Sequence, residues 1–512
     1  MKFNNIIFKG AIVGALVMAS SCSEDFLETQ PTQFLDGEDV SASMQEDPSK
    51  VQSYVTGAYM NLYDGGEQRQ SHDDFGLPAI KIFTDLLCED VAYHRDAHFF
   101  CFDYQLDNRL GNYRRTVSTW RQLYQVVDNA NTIIELLKPA DGEQPEGDVK
   151  KMLGQAYALR AYSYFWLVNL WQQPLSAGAD QLGVPLKTET EYRPERVPVG
   201  EIYEQILSDI DTGYKYLEGE GYISGKSNIS EYAAAFIYAN VLMFTGDYDK
   251  AAQYAEKAIA GGQLNNEEQM LSGFNSLDLP EVIWGYSVTS ETTGYYASFF
   301  SHVDSYFIGY GGQVGFRKLV SSYLYDQIDD SDVRKLWFGE TAAYNLLKID
   351  FSYEESYGFD EYISNKFRDK YMTTYREAEP FTSDIIYFRT AEMYYVAAEA
   401  YYLAGQVNKA QDMLNTIMAT RVPGYNCGKT GQALLDEICI QKRIEMFLEG
   451  CRYLDAKRRN EMIERGKSTD YAADLNNYNA INYSSRDYRM IYRIPTVEMQ
   501  NNPSIPPSDD NK

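Results

Sequence analysis

Residues 232–262, YAAAFIYANVLMFTGDYDKAAQYAEKAIAGG, and residues 391–421, AEMYYVAAEAYYLAGQVNKAQDMLNTIMATR, follow one plan. That plan constrains the fold more than anything else in the chain. Small residues recur at near-helical spacing, at Ala234, Ala239, Ala251, Ala252 and Ala255 in the first copy and at Ala397, Ala398 and Ala400 in the second. A glycine breaks each run in the middle, Gly246 and Gly405, and Lys250-Ala251 and Lys409-Ala410 stand at the same offset from it. Helix, glycine turn and second helix with small residues at the crossing is the tetratricopeptide layout, because small side chains let two helices approach closely.

Two further pairs fit irregularly. The apolar segment 154–175 ends at Gln173-Pro174, and its partner at 200–219 aligns Ile202, Ile206, Leu207 and Ile210 on one stripe. Helical patterns also cover 118–138 and 432–460. The expectation is a mainly α fold: a helical-repeat scaffold of about four irregular pairs, with a few short strands. Two stretches lack the pattern, at about 64–117 and 263–388. Long irregular insertions in a rigid scaffold are where binding usually resides. The second holds EVIWGYSV at 281–288, which reads as a buried strand and places Trp284 in the core.

The first 21 residues carry Lys2 and Lys9, a short apolar core from Gly10 to Met18, and Ala19-Ser20-Ser21 before Cys22. That order is a secretory signal, and its apolar run is about half of the ~20 residues a membrane span needs. A cysteine directly after the small residues marks the cut and acylation point of a bacterial lipoprotein, although Ala19 stands where Leu is commonest. The expected layout is a signal peptide at 1–21 and one domain over 22–512, lipidated at Cys22. Losing Lys2 and Lys9 moves the formal charge from −28 to −30. So acidic a surface disfavours nucleic acid and anionic membrane as ligands and suits a neutral ligand or a basic partner. Tyrosine is the compositional outlier, with 44 residues against 24 Phe and 5 Trp; rigid rings with one polar tip suit wet recognition surfaces.

Ordered landmarks then give a resemblance that spans nearly the whole chain. They are CSEDFLETQPT at 22–32, ALRAYSYFWLVNLWQQPL at 158–175, ERVPVGEIYEQILSDI at 195–210, the repeat from Tyr232, DIIYFRTAEMYYVAAEAYYLAG at 384–405, IQKRIEMFLEGCRYLDAKRRN at 440–460 and IYRIPTVEMQNNPSIPP at 491–507. In these the chain resembles the SusD/RagB-type nutrient-binding lipoproteins, departing where Trp171-Gln172-Gln173 replaces a frequent Gly-Gly stretch. The resemblance implies a protein on the outer face of the outer membrane that captures oligo- or polysaccharide, sometimes peptide. It would deliver this ligand, as a lid, to a SusC-like TonB-dependent transporter. It implies no covalent chemistry and no cofactor, and Ser23-Glu24-Asp25 after Cys22 suits surface export. A peptide or protein importer subunit, or an interaction scaffold using the same helical groove, is the alternative.

A sugar site needs exposed rings to stack on C–H faces and polar groups for hydroxyls. The candidates are Tyr93, Phe99, Tyr104 and Asn108 in the first insertion, and Tyr295, Tyr296, Tyr306, Tyr310 and Trp337 in the second. Exposed, coplanar rings there favour a glycan; buried ones favour the alternative.

Catalytic and metal signals are weak. Cys88, His94, His98 and Cys101 are zinc-capable residues, but C-x5-H-x3-H-x2-C matches no structural zinc motif, and export favours a Cys88–Cys101 disulfide. Five cysteines (these two with Cys427, Cys439 and Cys451) cannot all pair within one molecule, and their connectivity is not readable. GYNCGKT at 424–430 has one residue too few between its glycines for a phosphate loop. GYGGQVG at 309–315 misses dinucleotide spacing. Asp326, Asp329, Asp330 and Asp332 offer oxygens for calcium, although an acidic solvated turn is the commoner explanation. No nucleophile elbow accompanies the four histidines.

Overall fold

The computed structural model describes residues 47–64, 71–93, 98–139, 143–189, 194–306, 309–312, 314–339, 362–373, 379–468 and 480–511. The signal segment, Cys22 and His94 lie outside them. Contacts group the chain into Met1–Val51 and Gln52–Lys512. Of the first unit a single 3-10 turn, Pro48–Val51, is described.

The second unit is built from antiparallel helices packed in chain order. Helix α1 (Gln52–Asp64) buries Val55, Ala58, Tyr59, Leu62 and Tyr63, a 3–4 spacing that makes one apolar stripe. Helix α2 (Leu77–Leu86), opened by Pro78, is buried along its whole length. Helix α3 (Phe99–Tyr104) is short. Then come α4 (Arg114–Leu137), α5 (Gly147–Trp171), α6 (Val199–Leu217), α7 (Glu231–Thr245) and α8 (Tyr248–Ile259). Helix α4 packs on α1 and α5, α5 on α6, α6 on α7, and α7 on α8. Further on, α9 (Thr390–Leu403) packs against α8 and α10 (Val407–Met418), so the hairpins of the two repeats lie side by side.

The repeat turns are built as their glycines require. Gly246 ends α7 at φ +85°, where a Cβ is penalised, and Asp247 then caps α8 by accepting from the Lys250 amide. Gly405 repeats this at φ +78° after α9. Ala251, Ala252, Ala255 and Ala258 are buried on α8. The Tyr401 hydroxyl donates across the hairpins to Glu256 Oε1 at 2.8 Å.

The sequence pattern at 432–460 predicts one helix, and the structure has two. Helix α11 (Gln432–Glu445) and α12 (Cys451–Arg459) are separated by a turn in which Leu448 and Gly450 take φ +59° and +79°. A Cβ on Gly450 would come within 2.9 Å of the Lys81 backbone, so the break lets the chain turn against α2. Helices α1 and α2 were not legible as such, and the first insertion therefore contributes core, not only loop.

Among the described residues, four two-stranded antiparallel ribbons complete the unit. Strand β1 (Val91–Tyr93) pairs with β5 (Lys318–Val320), which joins the two insertions with Tyr93 opposite Lys318. Strands β2 (Leu182–Pro185) and β3 (Arg196–Pro198) pair, as do β7 (Met462–Glu464) and β8 (Asn482–Ser484). Strand β4 (Val282–Tyr286) pairs with β6 (Ile385–Arg389), tying together the ends of the second insertion; Trp284 is fully buried, as the strand pattern requires.

A buried ionic cluster fastens that insertion to α11. Arg389 donates to Glu281 at 2.7 Å, Glu445 at 3.1 Å and Glu449 at 2.9 Å. Arg421 reaches Glu281 and Glu445, Arg334 reaches Asp332 and Glu445, and Lys366 reaches Glu449. Burial disfavours the Glu445 and Glu449 carboxylates, yet the surrounding arginines and lysine hold both below the usual carboxylate range, Glu449 at about 2.

Candidate functional site

Where β1 and β5 join the insertions, their aromatic and histidine side chains form one band. The first insertion supplies His72, His98 and Phe99; the second supplies Tyr296, His302, Tyr310 and Phe381. Three of the chain's four histidines thus converge. Tyr310, half-buried, lies flat on His302 with centroids 4.9 Å apart and planes 15° from parallel, and 4.2 Å from the His98 ring. Its hydroxyl bonds His72 Nδ1. Tyr296 continues the band at 6.1 Å from Tyr310 and 5.7 Å from Phe381. At the other end His98 meets Phe99 at 4.8 Å. Phe99, Tyr295 and Tyr296 are 38%, 62% and 41% exposed.

Charge beneath the band is neutralised internally. The Arg114 guanidinium lies 5.0 Å from the Phe99 ring centre and pairs with Asp73 at 2.6 Å and with Asp74. Buried Arg115 pairs with Asp73 at 2.6 Å and Asp103 at 3.0 Å. Burial raises the Asp103 carboxyl, whereas at Asp73 the two arginines overcome burial and lower it. His302 Nε2 lies 2.7 Å from the His72 carbonyl; a carbonyl only accepts, so Nε2 carries the proton. Burial holds His302 well below its ordinary value and His98 at about 4, with the Lys318 charge adding to both. Burial also pushes Lys318 down to about 7, its ammonium donating to the His302 and Phe316 carbonyls. Near neutral pH both imidazoles are therefore uncharged rings. His98 Nδ1 and Nε2 and His302 Nδ1 are buried without hydrogen-bond partners.

Four of the nine ligand candidates sit at or beside this band. Phe99, Tyr296 and Tyr310 belong to it and Tyr295 adjoins Tyr296, while Asn108 is half-buried and turned inward, donating to Asp103 at 3.0 Å. The other four are core. Tyr93, on β1, and Tyr104 are 1% and 2% exposed, with Arg465 over the Tyr104 ring at 4.4 Å. Tyr306 packs with Ala92, Leu319 and Ile363. Trp337 is 1% exposed, donates from Nε1 to the Met270 carbonyl at 2.9 Å and carries Lys366 over its ring. None of these four presents a face to a ligand. Reading aromatics alone missed Arg114 and the histidines, whose concentration in the two insertions was the available signal.

Cys88 follows α2 and Cys101 lies inside α3, with β1 between them drawn into pairing with β5. They form no disulfide, and Cys427, Cys439 and Cys451 are thiols as well. Among the described residues no group of three or more His, Cys, Asp or Glu is placed to hold a metal ion. In the acidic turn, Asp329 accepts from Ser331, Asp330 pairs with Lys335 and Asp332 is committed to Arg334.

Fold and site together define a class: an α-helical scaffold whose insertions carry a surface platform of rings. Comparison with known proteins narrows it. Residues 33–242 match the family model described as starch-binding associating with outer membrane, and residues 335–506 match the SusD family model. The chain belongs to the SusD/RagB family. SusD-like protein P38 of Formosa agariphila is 25% identical over 391 residues, covering 67% of this chain and 72% of that one. The fold is similar to that of a SusD-like carbohydrate binding protein from Bacteroides vulgatus, with TM-score 0.75 and 20% identity over 91% of this chain and 98% of that one. It is also similar to surface glycan-binding protein A from Bacteroides thetaiotaomicron, solved with laminarihexaose, with TM-score 0.65 and 17% identity over 90% and 99%.

Proposed function

We propose that this protein captures a neutral oligo- or polysaccharide at the cell surface and passes it to a SusC-like TonB-dependent transporter. The observation that carries the reading is the band Phe99–His98–Tyr310–Tyr296. Uncharged rings stand half-exposed on a scaffold that has already neutralised its own charges. Such rings offer apolar faces for the C–H faces of sugars, and the Tyr hydroxyls and Arg114 offer hydroxyl partners. The platform of uncharged rings favours a ligand without net charge, and the acidic surface disfavours an anionic one.

Binding without covalent change fits the same groups. Glycoside hydrolysis needs two carboxyls flanking the scissile bond, and Asp73, Asp74 and Asp103 beneath the band are paired with Arg114 and Arg115.

No described helix is long and apolar enough to cross a membrane. Acylation at Cys22 would supply the anchor at ~0.8 kcal/mol per buried methylene, and confinement near a transporter would raise the effective concentration of the pair without new contacts. The lid role belongs to this proposal. The test is a lipid-free protein beginning at Ser23 screened against plant, fungal and host glycans, with calorimetry on each hit. Saturable binding weakened by Tyr296→Ala and Phe99→Ala is the expected result. Binding indifferent to both removes the platform, and silence from a folded sample removes the glycan.

A further inference from the structure

Helix α4 begins at the platform, with Arg114 beside Phe99, and runs away from it. Its part-exposed residues, Arg114, Val117, Arg121, Gln125 and Asp128, recur at helical spacing and form one solvent-facing stripe. From Val117 onward, less than one turn past Arg114, this stripe becomes one wall of a cleft of about 320 Å³. The opposite wall is the short C-terminal helix α13 (Thr496–Asn501).

The cleft is built, not merely open. Tyr124 lines it as a half-buried ring, and Trp120, 5% exposed, stands behind it at the cleft wall with ring centroids 4.7 Å apart at 45°. Trp120 is backed by Trp171 edge-on at 5.0 Å. Tyr124 is fixed by donating its hydroxyl to the Pro185 carbonyl at 2.7 Å, which locks the ring against the β2 end. Polar groups stand on both walls: Gln125 and Asp128 from α4, Glu498 and Asn501 from α13. Gln125 Oε1 is buried with no hydrogen-bond partner, a cost a ligand hydroxyl would remove. The charged lining balances, Arg121 and Lys187 against Asp128 and Glu498, and Asp128 holds Lys187 at 2.6 Å.

An aromatic pair, an orphaned amide oxygen and balanced charge suit a neutral polyhydroxylated ligand. A volume near the lower end of the ~300–1,000 Å³ usual for small-molecule sites has room for one or two sugar rings. From Arg114 to Gln125 is eleven residues, or about 16 Å of helix at ~1.5 Å per residue. We propose that this cleft is a second saccharide subsite, separate from the platform, that binds neutral glycan between Trp120–Tyr124 and α13. The proposal rests on the glycan reading of the platform and adds to it. Two subsites on one rigid helix would let a long glycan bind more tightly than its short fragments, by effective concentration.

The test uses the lipid-free protein beginning at Ser23 with maltotriose, cellotriose, laminaritriose and xylotriose, read by calorimetry and tryptophan fluorescence. The other four tryptophans are at most 2% exposed and lie outside this cleft, so a quench reports Trp120. The expected result is two sites per chain for at least one trisaccharide. Gln125→Ala should weaken one of them tenfold or more and abolish the quench, while Tyr296→Ala weakens the other. Gln125→Ala is chosen because its Oε1 bonds nothing; Tyr124→Phe, which loses only the bond to Pro185, serves as a second variant with the same expected direction. One site, weakened in Tyr296→Ala and indifferent to Gln125→Ala, overturns the cleft and leaves the platform standing. A Gln125-dependent response to a proline-rich decapeptide, with none to sugars, assigns the cleft to peptide and overturns the proposal. No heat from any trisaccharide overturns both readings.

Discussion

Tyr310 lies on His302, 15° from parallel at 4.9 Å, and this contact joins a half-exposed ring of the platform to a fully buried imidazole. The half-buried ring is backed by packed core that, near neutral pH, carries no charge on its imidazole. Acid should undo that arrangement. The groups facing the two buried imidazoles are Lys318, Arg114, Asp73 and His72.

His98 and His302 have folded-state values below their unfolded value near 6.5. Their contribution to stability is therefore fully present above pH ~6.5 and is lost as pH falls toward about 4. Asp85 and Asp304, which burial raises to about 7, act in the opposite sense over much of that window. The informative quantity is therefore the difference between wild type and His98→Gln in thermal midpoint from pH 7.5 to 4.5. Wild type should lose more stability on acidification than the variant; parallel curves would rule this out.

Glu445 accepts from Arg334, Arg389 and Arg421 inside the core. Glu445→Gln leaves three buried cations short of a counter-charge and should cost ~3–5 kcal/mol in urea unfolding, as breaking buried pairs does. A cost below 1 kcal/mol would show that the cluster relaxes around the loss. Glu449, held at about 2, adds an acid limb: its share of stability is present above pH ~4.5 and is lost between there and pH ~2.

Rings of the platform and rings of the core should separate cleanly by readout. Tyr296→Ala should weaken binding of any glycan hit by up to about tenfold, ~0.5–1.5 kcal/mol, with little change in thermal midpoint. Trp337→Ala should cost ~3–5 kcal/mol of stability through the cavity it leaves. Where that variant still folds, its affinity should stay within twofold of wild type.

The protein beginning at Ser23, unfolded in denaturant without reductant, should take up iodoacetamide at all five cysteines, read by intact mass. Three labels would indicate one disulfide and contradict the thiol state of Cys88 and Cys101.

Much of the scaffold was legible because helical signals are local. The glycine turns at Gly246 and Gly405, the apolar stripe of Val199–Leu217 and the buried strand around Trp284 each follow from residues within one or two turns of each other. The break between α11 and α12 was not legible. It is imposed by the close approach of Gly450 to Lys81, a residue far away in sequence. Burial of rings failed for the same reason. Tyr93, Tyr104, Tyr306 and Trp337 resemble Phe99 and Tyr296 in type and neighbourhood, and only pairing of β1 with β5 and packing against Met270 and Lys366 put them inside. By itself the sequence determined a mainly helical scaffold with two aromatic insertions, since these depend on spacing and composition along the chain. The tertiary structure alone decided which rings face solvent, that three histidines meet beneath them, and that α4 carries a cleft. Each of those depends on contacts between residues tens to hundreds of positions apart, which periodicity along the chain does not encode.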